Sequence, residues 1–198
     1  MESYSSRTNN TKFCIGLTQV LLGEAIGLFT AFTVLLNFKR FGKLIGFNDV
    51  NEWSLADEQE HVLNNIRIVT NERDLLSEIE REKLALITEK LFSGYVQAEH
   101  HFADLVYAIG EQEDLTKEQV KGYVSYLAEL NKYRLGYISI DEVPVNPVEW
   151  MDWLLSSAKH DNFFEKRVAE YQHKPIEGEA DYNKYLSIID EKIENTLL

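Results

Sequence analysis

From Ile15 to Phe38 the chain is apolar almost without a break, and Glu24 sits near the middle of that stretch. Elsewhere apolar residues recur three and four positions apart, proline is scarce and β-branched runs are short. That spacing puts the apolar side chains of each segment on one stripe, so it predicts helices nearly throughout. A first helix is expected over about Thr11–Phe41, ending near Gly42 and Gly46. A second follows over Val50–Thr70, with Asn48 or Asp49 as its N-cap, because a short polar side chain there accepts from the free N–H groups of the first turn. The third covers about Leu75–Ile109 and stops at Gly110. The fourth begins after Thr116, where Thr116-Lys117-Glu118-Gln119 matches a capping box, and fades near Gly136. Pro144 and Pro147 mark a connection, and a fifth helix runs from about Pro147 to Gln172 with Pro147 in its first turn.

After Pro175 the composition turns acidic and polar, which predicts a mobile tail with too little apolar surface to form a core. The apolar residues near its end, Ile193, Leu197 and Leu198, suit docking into a groove on another protein. A frayed terminus without a role is the alternative. The expected organisation is a polar extension over 1–10, one helical domain over 11–173 and the tail over 174–198.

Charge and cysteine content narrow the function classes. The chain has 198 residues, 33 acidic against 20 basic, for a formal net charge of -13. No basic patch with interleaved aromatics appears, which argues against nucleic-acid binding. The single cysteine, Cys14, excludes an internal disulfide and fits a reducing, cytoplasmic setting, where a buried, inert thiol is expected. The opening MESYSSRTNN lacks the pattern of a signal peptide. The stretch Phe13–Phe38 is long and apolar enough to span a bilayer, with Lys39, Arg40 and Lys43 just beyond it. Gln19, several threonines and above all Glu24 favour a centrally buried helix over a membrane span, since a lone carboxylate in lipid is costly.

A buried Glu24 requires a partner, and the next helix offers one. Glu58 and His61 form a Glu-x-x-His step, which puts both side chains on one helix face within reach of a common ion. The turn between the helices is short, and counting back from it sets Glu24 and Glu58 at similar depth. Facing Glu58 and His61, a buried Glu24 must be protonated, paired or metal-bound. Carboxylate oxygens with a neutral imidazole suit iron or manganese, and the lack of thiolates argues against structural zinc. Asp57 is placed to accept a hydrogen bond from a ligating imidazole. A Glu–His hydrogen bond without metal is the plainer alternative. Glu170 and His173 repeat the step, but directly before Lys174-Pro175, where a helix must end. His100 and His101 are adjacent, so only one can face inward, and surface or capping roles are expected for both. Trp150, Trp153, Phe163 and Phe164 recur at helical spacing and read as core. No Ser-His-Asp order or glycine elbow suggests a hydrolase.

Carboxylate-bridged di-metal bundles take a Glu from each of two helices and a Glu-x-x-His from each of two others. This chain carries one of each. With Glu24, then Ala56-Asp57-Glu58-x-x-His61, it resembles the C-terminal half of the small, radical-generating subunit of class I ribonucleotide reductase. The resemblance continues in Ala98-Glu99-His100-His101-Phe102-Ala103-Asp104, in Gln119–Leu135, in Asn146-Pro147-Val148-Glu149-Trp150-Met151 and in the run Asn162–Tyr171, and covers about Thr11 to Tyr171. It implies an all-α, ferritin-like bundle. Glu24, Glu58 and His61 would ligate one side of a di-nuclear iron or manganese/iron centre, with Asp57 behind them. Glu165 and Tyr171 would serve the radical relay, and the tail through Leu198 would dock on the large catalytic subunit.

Two positions depart from the family pattern: Ala56 replaces a frequent arginine, and Leu28 stands where an aromatic is common. The larger departure is that the upstream helices giving the other carboxylate and Glu-x-x-His have no counterpart here. The expectation is a half-bundle completed by a separately encoded N-terminal half, the assembled small subunit then pairing as a dimer. Its exposed face should be lined by Leu17, Leu21, Glu24, Leu28 and Phe32, a surface that is unfavourable in water. Two other readings stay open: a di-metal oxidase or oxygenase built by self-association, and a metal-free helical accessory subunit.

Overall fold

A computed structural model of the chain describes residues 3–158, with side chains from 10 to 155. Six α-helices occur among the described residues: α1 (Ser3–Leu22), α2 (Phe29–Arg40), α3 (Ile45–Asp74), α4 (Glu78–Ile109), α5 (Lys117–Arg134) and α6 (Glu149–Ala158). A π-helical segment, Gly23–Leu28, joins α1 to α2 without a break, and a 3₁₀ turn, Ile140–Glu142, precedes α6. The described fold is all-α, with no strand. The joined α1–α2 rod is the central element: α1 packs on α3 and α4, α2 packs on α3 and α5, and α6 closes on α3.

Leu21, Leu22, Ile26 and Leu36 of the central rod are fully buried, together with Leu55 of α3, Phe92 of α4 and Tyr123 of α5. Each buried side chain of this size stabilises the fold by about 1.5–3 kcal/mol relative to exposure. The rod is long and apolar enough to cross a membrane, but these side chains meet other helices, as a core helix requires. Three of its threonines are accommodated locally. The buried hydroxyls of Thr18, Thr30 and Thr33 donate to Cys14 O, Ile26 O and Phe29 O at 2.7, 2.7 and 2.9 Å, so none enters the core unpaired. Cys14 is buried as expected, and burial pushes its thiol up.

Helix starts show which signals are local. Thr116 caps α5 as expected: Gln119 N donates to Thr116 Oγ1 at 3.1 Å, and Thr116 N donates to Gln119 Oε1 at 2.8 Å. Ser77 does the same for α4 with Glu80, so that helix starts after Ser77 rather than at Leu75. Neither Asn48 nor Asp49 caps α3. The helix starts a turn earlier, at Ile45, after Leu44 takes a left-handed conformation with φ of 52°. Lys39 reaches across the turn to Asp49 at 2.6 Å and Glu52 at 2.8 Å, which holds the first turns of α3 against α2. Before α6, Asn146 Oδ1 accepts from Val148 N at 2.8 Å, and Pro147 precedes the helix rather than opening it. The expected continuation of this helix to Gln172, like Phe163 and Phe164, lies outside the described residues.

The loop between α4 and α5 is tied to the end of α2. Buried Asn37 donates to Glu113 O at 2.9 Å and accepts from Arg40 Nη1 at 2.8 Å, while Arg40 Nη2 pairs with Asp114 at 2.8 Å. Removing the amide leaves a carbonyl and a guanidinium short of a partner, at a cost of about 1–3 kcal/mol. Asn37→Ala is therefore expected to lower unfolding stability by about 2 kcal/mol in urea denaturation; an unchanged midpoint would show that the loop holds without it.

Candidate metal centre

Glu24 projects from the π segment toward α3. On α3, Glu58 and His61 share a face one turn apart, and Asn65 continues that face four residues later. One ligating atom each from Glu24, Glu58 and His61 lie within 4.8 Å of one another. Asn65 Nδ2 donates to Glu24 Oε2 at 2.9 Å and so aims the carboxylate. His61 Nδ1 lies 3.2 Å from Glu58 Oε2. The side chain of His61 is 58% exposed and that of Glu58 is 21% exposed, so the cluster is open on one side.

Electrostatics mark this cluster as a place for a cation. Burial pushes the Glu24 carboxyl above its ordinary range, and the charge of Glu58 pushes it further. His61 and the Asn65 hydrogen bond work in the opposite direction. Two carboxylates and an imidazole so close are the donor set that iron or manganese accepts. A divalent ion among them would relieve the repulsion that raises Glu24. The residues present therefore fit a metal.

The three residues that the sequence brings together are thus close in space, although Glu24 is half-buried rather than deep. Asp57 is exposed, and the imidazole's near neighbour is Glu58 rather than Asp57. The expected exposed face needs correction. Leu21 and Phe32 are buried in the chain's own core and Leu17 is partly buried. Leu28, 39% exposed, faces solvent as expected, and Val20, 50% exposed, takes the place of Leu21, so that the two lie four residues on either side of Glu24. The π segment is the reason: its wider turn shifts the residues before it by one position relative to those after it. Trp53 and Ile68 extend the exposed apolar surface along α3. Asn65 escaped the sequence reading, although its spacing from His61 on the same helix was the available signal.

The remaining candidates separate clearly. His100 is half-buried with Nε2 3.1 Å from Lys121 O, and His101 is exposed. Trp150 packs against the core under the Arg40 guanidinium, 4.7 Å from its ring centroid. Trp153 is exposed and is not a core residue. Glu165, Tyr171, Ile193, Leu197 and Leu198, and the second Glu-x-x-His at Glu170 and His173, lie outside the described residues.

An all-α bundle in which two glutamates and a histidine from adjacent helices come within reach of a common ion is the class that the fold and site define. Within it, this chain belongs to the ribonucleotide reductase small chain family, whose model matches residues 1–147. The chain is 31% identical over 161 residues to a probable ribonucleoside-diphosphate reductase small subunit of Invertebrate iridescent virus 3, covering 79% of this chain and 42% of that protein. It is 28% identical over 157 residues to the ribonucleoside-diphosphate reductase subunit beta of Chlamydia pneumoniae, covering 77% of this chain and 43% of that one. The chain thus spans about half the length of the curated relatives it matches.

Proposed function

We propose that this chain is the C-terminal half of a class I ribonucleotide reductase small subunit and holds one side of its di-metal site, iron or manganese/iron. A separately encoded N-terminal half supplies the other side. The assembled subunit pairs as a dimer and serves a large catalytic subunit that reduces ribonucleotides to deoxyribonucleotides. One observation carries this reading: Glu24, Glu58 and His61 converge beside an exposed apolar stripe. Three donors are half of the set that such a bundle uses, and the stripe is a surface that calls for cover.

Each nearby residue has a part to play. Glu24, Glu58 and His61 would hold the metal, which when bound supplies one-electron oxidising power. Asn65 fixes the orientation of the Glu24 carboxylate. Glu58 fixes the ring of His61. Val20 and Leu28, once covered, keep water from the carboxylates and strengthen every charge interaction there. By resemblance Asp57 stands behind the ligands, although it is exposed in the chain alone. By resemblance, Glu165 and Tyr171 carry the oxidising equivalent onward, and Ile193, Leu197 and Leu198 dock on the large subunit.

The test is metal content and ribonucleotide reduction for this chain alone and for the chain co-expressed with an N-terminal half. The expected result is two ions per assembled subunit, with activity only when both halves and the large subunit are present. Two ions per homodimer of this chain alone would put a self-assembled oxidase or oxygenase in its place, completed by symmetry. No metal in either preparation would leave a helical accessory subunit.

A further inference from the structure

Glu24 stands in the one stretch of the central rod that is not α-helical, and the neighbouring helix α4 touches that stretch at two points. Gly23 and Gly27, four residues apart, face α4, where Tyr95 and Glu99 are also four apart. The Tyr95 hydroxyl lies 3.7 Å from where a Cβ on Gly23 would be, and Glu99 Oε1 lies 3.2 Å from the corresponding point on Gly27. Two missing Cβ atoms therefore let α4 come close at the π segment. The Tyr95 hydroxyl also donates to Gln19 O at 3.0 Å.

That carbonyl is the significant one. In an uninterrupted α-helix Gln19 O accepts from the N–H four residues on, which is Gly23, the first residue of the π segment. A backbone carbonyl can take two donors, so the hydroxyl ties the last turn of α1 to α4 immediately before the π segment. Single π turns inside α-helices are rare and frequent at functional sites. If the segment closed to α spacing, the helix on one side would turn by about 100° relative to the other. Glu24 would then swing away from Asn65, Glu58 and His61.

We propose that Tyr95 is a positioning residue for Glu24: by tying Gln19 O to α4 and packing against Gly23 it fixes where the rod enters the π segment, and so keeps the carboxylate aimed at Glu58 and His61. This rests on the metal reading given above. Tyr95 touches neither the metal donors nor their hydrogen-bond partners, so its effect passes through the backbone.

The variant is Tyr95→Phe, which keeps the ring and removes the hydroxyl, in the complete protein formed by this chain and the N-terminal half. Mn(II) affinity is measured by titration, with Glu24→Ala as control, and amide hydrogen exchange is followed over residues 19–28. The expected result is a loss of about tenfold or more in Mn(II) affinity, the size seen when groups behind metal ligands are removed. Faster exchange should be confined to residues 19–28, and the metal-free melting temperature should stay within about a degree of the native value. Unchanged affinity in Tyr95→Phe, with binding lost in Glu24→Ala, overturns the positioning role and leaves the metal reading standing. Unchanged binding in Glu24→Ala overturns both. Faster exchange throughout with a lower melting temperature would make Tyr95 an ordinary packing residue and also overturns the proposal.

Discussion

Glu24→Gln is expected to raise the melting temperature of the metal-free chain while removing the further rise that added Mn(II) or Fe(II) gives the native sequence. The two effects have opposite signs because one residue serves opposite purposes. Without metal, Glu24 is a half-buried carboxyl beside Glu58, and burial and that like charge hold its pKa above the usual range. A carboxyl whose folded pKa exceeds its unfolded value costs stability wherever the unfolded form would be ionised. Glutamine removes the charge and keeps a side-chain oxygen for Asn65. Solvent screens part of the effect, so the gain should be about 2–4 °C, the shift that about 1 kcal/mol produces in a chain of this size. It should be present at pH 7 and vanish as pH falls below the carboxylate range, where Glu24 is protonated folded or unfolded. The native chain should gain about 2.7 kcal/mol from metal at a hundredfold excess over its Kd, and the variant almost none. Calorimetry with and without metal decides the matter. A variant that melts lower without metal, or gains as much from it, would sink this account of Glu24.

Phe92→Ala should be strongly destabilising, within a range of about 3–5 kcal/mol. The ring is 1% exposed on α4, and Lys132 Nζ lies 5.6 Å from its centroid. It also forms the floor of a groove of about 530 Å³ lined by Leu86, Thr88, Tyr137 and Ile138. Truncation therefore loses the transfer energy of the ring, the cation–π contact and the packing of its neighbours. Because the space joins an open groove, water can enter it, and the cost should fall toward the lower end of that range. Phe92→Leu keeps most of the volume and should cost less than about 1.5 kcal/mol. Urea denaturation with an unchanged slope would measure both, and a Phe92→Ala midpoint near the native one would show that the ring is not structural.

The elements read correctly from the sequence depend on short-range chemistry. Thr116 and Gln119 lie three residues apart, so their reciprocal bonds need nothing from elsewhere. Glu58 and His61 are likewise one turn apart, so their closeness needs only that α3 is a helix. The misses need a third body. The start of α3 is held by Lys39 from the preceding helix, which outweighs the cap preference of Asn48 and Asp49. The π segment is held from α4, and two glycines in an apolar helix carry no sign of it. That single unseen feature then shifted the residues before it by one position, which is why Leu21 was expected outside and Val20 was not. Asn65 shares the face of His61 by spacing alone, but its role shows only where Glu24 faces it.

The exposed stripe around Glu24 has a consequence for the life of the chain in a cell. Chaperones and proteases respond to uncovered apolar surface, and small differences in the covered fraction change steady-state abundance several-fold. A copy with Val20 and Leu28 in water is a substrate for that surveillance, and a covered copy is not. On the function proposed above, the amount of this chain that accumulates follows the supply of the half that covers the stripe. Synthesis in excess of that supply ends in turnover rather than in surplus protein.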